Sequence, residues 1–501
     1  MKRYLLVLGF IAALAGMASA EENARQLTMN EAIRLTVENN LDVRAELYNP
    51  ASAEADIHKF QGIYNPLLTL FGNYQDSSKL PANSFTSGGV TVNRQRSMEY
   101  DAELSQLIPS GGTIDAKFDN SWNHNNNLSQ GAINNYFQSD VIVTFTQPLL
   151  KNFGRETTEI AINVARFSKE GALDQFKSKL LDIISQVKTQ YYQLYSLREN
   201  LEVKKTSLKL AETILTNTQA QVKAGVLPAF EVLNAQFGMA TQQKNLIDAE
   251  RALKDQVDAL RVLLQLHDAA DIVPVDTPFR DNYQVDEAQA TKFALTSRPD
   301  LNQQRVTVKS NELQSRVARN LTRPELDVTA SADFSGLAGN YSRDLDRVGS
   351  GQYPTWIAGL KLTYPIGNDS AKNDYIKSKL KVDQSKTQVR SLEESVVNDV
   401  RTAVRAVHSG YLQLDVTARG RTYAEEVMQA FIKKQKVGLA TTKDVLDELN
   451  NLVTAQGNEI QAVSDYNKAI VSLWKVTGEL LEREGITLGE KDADSLYDKN
   501  R

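Results

Sequence analysis

The sequence predicts an α+β membrane protein built twice over, in which long α-helices run directly into short alternating strands. Three observations lead there. The first is an internal repeat: "GVLPAFEVLNAQFGMATQQKNLIDAERALKDQVDALRVLL" aligns without a gap on "GLATTKDVLDELNNLVTAQGNEIQAVSDYNKAIVSLWKVT". Gly225 then meets Gly438, Val232-Leu233 meets Val445-Leu446, and Ile247 meets Ile460. The second is a pair of proline-free runs, Thr157–Val222 and Ala371–Val437, with apolar residues stepping by three and four. The third is alternation: Val328, Ala330, Ala332 and Phe334 interleave with Asp327, Thr329, Ser331 and Asp333.

In chain order, Lys2 and Arg3 precede "LLVLGFIAALAGM" and "ASA", the plan of a cleavable secretory signal over residues 1–20. The apolar run is too short for a comfortable membrane span, and no other segment approaches ~20 apolar residues. The chain has no cysteine, which excludes an N-terminal lipid on cysteine, disulfides and thiolate metal sites. Its 57 basic and 62 acidic residues leave it acidic, and losing Lys2 and Arg3 makes it more so. That balance argues against nucleic acid as a partner.

The first repeat, residues 21–270, reads as helix, β region 67–147, long helix, tip turn 223–230, helix. The second, residues 271–485, reads as helix, β region 325–364, long helix, tip turn 436–443, helix. The stretch "DIVPVDTPF" divides them, and 486–501 form a polar tail. In the long helix of the first repeat Phe176, Leu180, Ile183, Val187, Tyr191 and Leu194 share a face. At 1.5 Å per residue each proline-free run spans roughly 100 Å. The flanking helices, Thr28–Ile63 with Pro228–His267 and Val285–Leu321 with Thr441–Leu480, are each little over half as long. Two such helices end to end match one long one.

Four strands are expected in the first half, near Leu67–Ser77, Met98–Leu107, Thr113–Trp122 and Asp140–Phe145. The second half has room for two, Glu325–Phe334 and Thr355–Tyr364, around a Gly/Ser/Asp-rich loop, Ser335–Pro354. The middle pair of the first half reads as an inserted hairpin turned at "PSGG". Strands of about ten residues, apolar on one side and polar on the other, match a membrane barrel with a wet lumen. A soluble sandwich alternates in the same way. The prolines add to this: of twelve, Pro66, Pro148, Pro324 and Pro365 fall at the four helix–strand boundaries. Proline removes a backbone donor and turns the preceding residue away from helix, so it suits a chain that switches structure without stopping.

The duplicated helix–strand–helix plan, "SRPDL" (Ser297–Leu301), "TQPLL" (Thr146–Leu150) and the paired Gly-x5-acid-Val-Leu motif together resemble the TolC family of outer-membrane efflux and secretion ducts. The resemblance covers nearly the whole mature chain. It implies a homotrimer forming one tube, an outer-membrane β-barrel continuous with an α-helical barrel through the periplasm. It implies partners: a periplasmic adaptor protein, an inner-membrane pump or exporter, and outer-membrane lipid. The expected localisation is the outer membrane, reaching into the periplasm and without a lipid anchor. The expected function is the passive exit duct of a tripartite efflux or type I secretion system. A chain with four to six strands cannot close an aqueous pore alone, so the strand count also demands oligomerisation.

The resemblance further implies a periplasmic gate with an acidic ring, which the motif places at Asp444 and Asp447. Their i,i+3 spacing sets both on one helix face. The plainer alternative is that Asp444 is a first-turn acid behind a Thr441 or Thr442 cap. Glu231 and Asn234 are the first-repeat counterparts, expected to pack the tip. Gly225 and Gly438 are expected to make the tip turns, near which an adaptor binds. Where some family members restrain the closed tip with a tyrosine and an arginine, this chain has Gln435 and Ala440.

A different class of function, a periplasmic structural coiled-coil protein or adhesin without a pore, predicts sustained heptads. The junctional prolines and alternating strands count against it. There is no phosphate loop, nucleophile elbow or pocket-like carboxylate pair, so no catalytic residue and no cofactor are expected. Glu54 and His58 share a helix face without a third ligand in view, so no metal is expected. Tyr191, Tyr192, Tyr195 and Trp474 read as packing residues.

Overall fold

The computed structural model describes residues 25–80, 92–126, 133–267, 270–486 and 489–500. The predicted signal, residues 1–20, lies outside them. The helices that matter are α1 (Met29–Asn39), α2 (Leu41–Gln61), α3 (Ile160–Lys223), α4 (Phe230–Leu264), α5 (Glu287–Ser297), α6 (Pro299–Leu321), α7 (Tyr341–Ser350), α8 (Asp369–Lys436) and α9 (Thr442–Thr477). The strands are β1 (Arg25–Leu27), β2 (Leu67–Lys79), β3 (Asn93–Leu107), β4 (Thr113–Asn125), β5 (Asn135–Pro148), β6 (Ile272–Pro274), β7 (Glu325–Ala338) and β8 (Pro354–Thr363). Two compact units result, residues 1–49, 173–302 and 390–495 in one, 50–172, 303–389 and 496–501 in the other. Both sequence repeats contribute to both units, since α2, α3, α6 and α8 each contain a division.

Two expected helices are broken. Thr28–Ile63 is α1 and α2, separated at Asn40, whose backbone is extended (ψ 126°). Its carboxamide oxygen accepts from the Asp42 and Val43 amides (2.9 and 3.1 Å), starting the second helix as it ends the first. Val285–Leu321 is likewise α5 and α6, divided at Arg298. Pro299 takes the first helical position, where its missing N–H leaves nothing unsatisfied.

In the first unit, the core centres on the face predicted for α3. Phe176, Leu180, Ile183, Val187, Tyr191 and Leu194 are all buried, against Leu260 and Leu264 of α4 and Leu27. The linker between repeats is not loose. Its β6 pairs in parallel with β1, and the hydroxyl of fully buried Tyr191 lies 2.8 Å from the Leu27 carbonyl and 2.9 Å from the Asp276 carboxylate. That hydroxyl also accepts from the amides of Val275 and Asp276 (3.2 Å each). Farther along, Tyr466 holds the Tyr283 amide and the Asp281 carbonyl, and Asn467 brackets Phe279. Trp474 closes the cluster, its indole N–H donating to the Tyr283 hydroxyl (2.9 Å).

In the second unit, one antiparallel sheet runs β2-β3-β4-β5-β7-β8. The hairpin β3–β4 is therefore part of the sheet, paired along its length with β2 on one side and β5 on the other. Every strand is at least as long as expected, except that β8 is displaced by one residue toward the N-terminus. Register places Leu70, Ala102, Phe118, Val141 and Phe334 side by side on one face. Thr69, Glu103, Lys117, Ile142 and Asp333 line up on the other. The junctional prolines sit where the chain changes structure: Pro66 and Pro324 immediately precede β2 and β7, Pro148 ends β5, and Pro365 lies just past β8.

The expected loop Ser335–Pro354 contains a helix instead. Asn340 caps α7 by accepting from the Ser342 amide (2.8 Å), and Gly351 ends it at φ +61°. Tyr341 packs on Phe137 (ring centroids 5.5 Å apart), and buried Asp344 accepts from the Ser139 hydroxyl at 2.6 Å. Asn120 and Ser139 are polar breaks in the mostly apolar sheet face, and α7 covers them.

Replacing Tyr191 with Phe removes the one hydroxyl that joins β1, α3 and the linker. The expected cost is about 1–3 kcal/mol, from buried backbone groups left without a partner. Thermal unfolding followed by circular dichroism should show a lower midpoint with unchanged native helix content; an unchanged midpoint would remove this bond from the account.

Candidate functional site

Both long helices reverse by the same device. Gly225 (φ +75°) and Gly438 (φ +76°) occupy the left-handed region at the ends of α3 and α8. In the first, the Gly225 amide donates to the Val222 carbonyl (3.0 Å) and Val226 to Gln221 (2.9 Å). In the second, Gly438 donates to Gln435 (3.0 Å) and Leu439 to Lys434 (2.9 Å). This paired 6→1 and 5→2 pattern satisfies the last carbonyls of a helix and needs a residue without a Cβ penalty. Open space surrounds both positions, so conformation rather than crowding selects glycine.

Beyond the turns, α4 and α9 run side by side in the same direction. Glu231, only 4% exposed, points its carboxylate at the start of α9 and accepts from the Thr442 amide at 3.2 Å. Two turns on, Gly238 lets Leu446 approach so closely that an added Cβ would lie 2.6 Å from its methyls. The next turn brings Gln242 to Asn450 (2.8 Å). Helix α3 contributes Thr218, whose hydroxyl is 3.4 Å from that of fully buried Thr442, and α8 contributes Gln435, which donates to the same hydroxyl at 3.3 Å. Met428, Val445, Leu446, Leu449 and Val453 with Ala211 and Ile214 form the apolar centre beneath.

The two predicted acids are placed differently. Asp444 and Thr441 make a reciprocal cap: Thr441 Oγ1 accepts from the Asp444 amide (3.1 Å), and Asp444 Oδ2 accepts from the Thr441 amide (2.8 Å). These bonds, the backbone one first, hold the Asp444 carboxyl below its ordinary range. Asp447 lies three residues on, at the surface. Asn234 is half-buried and outside the set of contacts around Glu231.

Gln435, which departs from the restraining residue that the resemblance implies at this position, donates to the Thr442 hydroxyl of its own chain. The sequence assigns Glu231 to tip packing, but its target, the start of α9, is visible only in three dimensions. Phe230, Leu233 and Phe237 form an exposed apolar stripe down α4, with Val226 exposed at the first turn and Val437 and Leu439 at the second. Elsewhere, Glu54 and His58 do meet (3.2 Å), yet Glu54 is held by Lys169 and the imidazole stacks on Tyr497. Among the described residues no cluster of metal-ligating side chains occurs.

The profile of the family described as outer membrane efflux protein matches residues 94–265 and 291–479. A probable efflux pump outer membrane protein, TtgC of Pseudomonas putida, is 20% identical over 93% of this chain and 86% of its own length. The outer membrane protein TolC of Escherichia coli is 22% identical over 61% of this chain and 63% of its own. Among solved structures, the outer-membrane channel OprN superposes with a TM-score of 0.67 at 15% identity, covering 90% of each chain.

Two outcomes are expected at the tip. Glu231→Ala strands the Thr442 amide and should lower hydrogen-exchange protection over 442–446 by about 1–3 kcal/mol, with Glu231→Gln losing less because it keeps an acceptor. Acidification should loosen the Thr441–Asp444 cap. A carboxyl depressed in the folded state stabilises fully above its unfolded value, roughly 4, and stops doing so as pH falls through the folded one. The protection factors of 441–445 should fall in that range in the native chain and be low and pH-insensitive in Asp444→Ala; matching profiles would exclude the cap.

Proposed function

Because the chain belongs to the outer membrane efflux protein family, it is an outer-membrane exit duct, and we propose that three copies form its wall, with Asp444 and Asp447 ringing the periplasmic end. One observation carries the trimeric reading: the six-stranded sheet is apolar on one face, polar on the other, and unpaired at both edges among the described residues. No described helix is long and apolar enough to cross a membrane, and the part of the sheet's apolar face that α7 leaves uncovered is what can meet lipid. The polar face then lines the passage.

The helices reverse at the two tip turns. Three copies of Asp444 and Asp447 set six carboxylates around a narrow axis, a ring that favours cations. The buried Glu231–Thr442 and Thr218–Thr442 contacts tie first-repeat and second-repeat helices together, Gln435–Thr442 ties α8 to α9, and all three support the closed arrangement. The exposed residues Val226, Phe230, Leu233 and Phe237 support a docking face there for a periplasmic adaptor that couples the duct to an inner-membrane pump or exporter. The duct itself holds no energy source in this reading; its partners open it.

Single-channel recording tests the ring. Asp444→Ala with Asp447→Ala should reduce cation selectivity and abolish block by divalent cations. Unchanged reversal potentials and unchanged block would remove both acids from the gate.

A further inference from the structure

We infer that the β3–β4 hairpin forms part of the barrel wall, so that three copies close an eighteen-stranded barrel through β2 of one copy and β8 of the next. The inference rests on the trimeric duct proposed above and goes beyond it in fixing the seam, the strand count and the lining. A repeat copied faithfully would supply two strands per half and twelve per trimer. Here the first half supplies β2, β3, β4 and β5, while the second supplies β7 and β8.

Three features favour the wider barrel. The hairpin is paired on both flanks, so leaving it out would break the ladders of β3 with β2 and of β4 with β5. The sheet's edges also match. With six antiparallel strands, β2 and β8 run in opposite senses, so one copy's β2 continues the meander beside the next copy's β8 without reversing direction. All residues of β8, and all but one of β2, are exposed, and both edges present apolar side chains to the lipid side: Leu68 and Leu70, Leu360 and Leu362.

The third feature is width. Four helix segments run into this sheet within the same unit, side by side in the order α2, α3, α6, α8. They are joined by Lys169–Glu54 (2.9 Å), Lys309–Glu170 (3.1 Å) and Lys386–Glu312 (2.6 Å). At ~9 Å between axes, four helices occupy roughly 36 Å of circumference. At ~4.8 Å between strands and ~40° tilt, six strands occupy roughly 38 Å and four only roughly 25 Å. Six strands per copy therefore fit the helices they join at an ordinary tilt. The hairpin also sets the lining, for its polar face carries Glu99, Asp101, Glu103, Asp115 and Asp119 around Lys117, whose ammonium contacts Asp119 at 2.7 Å.

Because the chain has no cysteine, paired cysteines can read the strand order. Asn73 lies opposite Glu99 on β3, and Gln138 is the residue of β5 at the same level. In the detergent-purified trimer, Asn73→Cys with Glu99→Cys should cross-link within one chain on oxidation. Asn73→Cys with Gln138→Cys should not. Asn73→Cys combined in turn with cysteine at Ile357, Gly359 or Lys361 should give a covalent dimer and trimer ladder in at least one pairing. A cross-link between positions 73 and 138, or a trimer whose density shows twelve wall strands, would overturn the eighteen-stranded barrel while leaving the duct intact. A monomer in every detergent would instead overturn the trimeric reading beneath it.

Discussion

A β-strand at the edge of a sheet carries a row of backbone amides and carbonyls with no partner, and in hydrocarbon each costs several kcal/mol. The 13 residues of β2 and the 10 of β8 place such a row on either side of this sheet. Much of the molecule answers that need for closure. In the trimer proposed above it is met by neighbours of the same chain, with an even number of strands per copy and edges that are apolar on the same side. The alternation fits it: Phe118, Val141 and Phe334 sit in register on one face, and Glu103, Lys117 and Asp333 on the other, interrupted by Ile142. One place where the apolar face fails, at Asn120 and Ser139, is roofed by α7 and satisfied by Asp344 and Tyr341.

Duplication supplies the rest of the architecture, and its imperfections carry the specialisation. The two reversals are the same motif down to the hydrogen-bond pattern, with glycine at +75° and +76°. Past the turns the two copies have diverged. The first copy turns its acid inward, where Glu231 meets the start of a helix from the second copy. The second turns its acid onto its own cap at Thr441 and leaves Asp447 at the surface. Sequence alignment pairs Glu231 with Asp444 as equivalents, but one joins the repeats and the other starts a helix.

The periodic features are legible from the chain alone. Strict 3–4 spacing marks α3 and α8, alternation marks the strands, and four prolines mark the boundaries because proline acts locally on backbone geometry. The features that escape depend on short-range competition or distant partners. The breaks at Asn40 and Arg298 interrupt an apolar pattern that continues through them, and only the side-chain cap of Asn40 and the ring of Pro299 separate the helices. The helix α7 gathers Tyr341, Asp344, Leu345 and Val348 inside a composition that reads as loop; packing on the sheet, not propensity, makes it fold. The acceptor role of Glu231 is invisible in sequence because Thr442 becomes its neighbour only after both repeats have folded.

Stability within the first unit is unevenly spread, and the unevenness bears on how a passage there could open. Around the inter-repeat linker, Tyr191, Tyr466 and Asn467 combine burial with multiple backbone bonds, Trp474 adds a bond to the Tyr283 hydroxyl, and the surrounding apolar cluster is extensive. At the tip the apolar centre is smaller, and three of the polar links converge on one residue, Thr442, through contacts of 3.2–3.4 Å, with Gln242–Asn450 a turn or two beyond. Local opening draws on regions with few buried apolar contacts and many exposed backbone bonds. A partner that engages the exposed residues from Val226 to Phe237 therefore acts on the segment that holds Glu231 itself. In the proposed duct, moving that carboxylate out of reach breaks the Thr442 contact, while the linker's bonds to Tyr191, Tyr466 and Asn467 involve none of the tip residues.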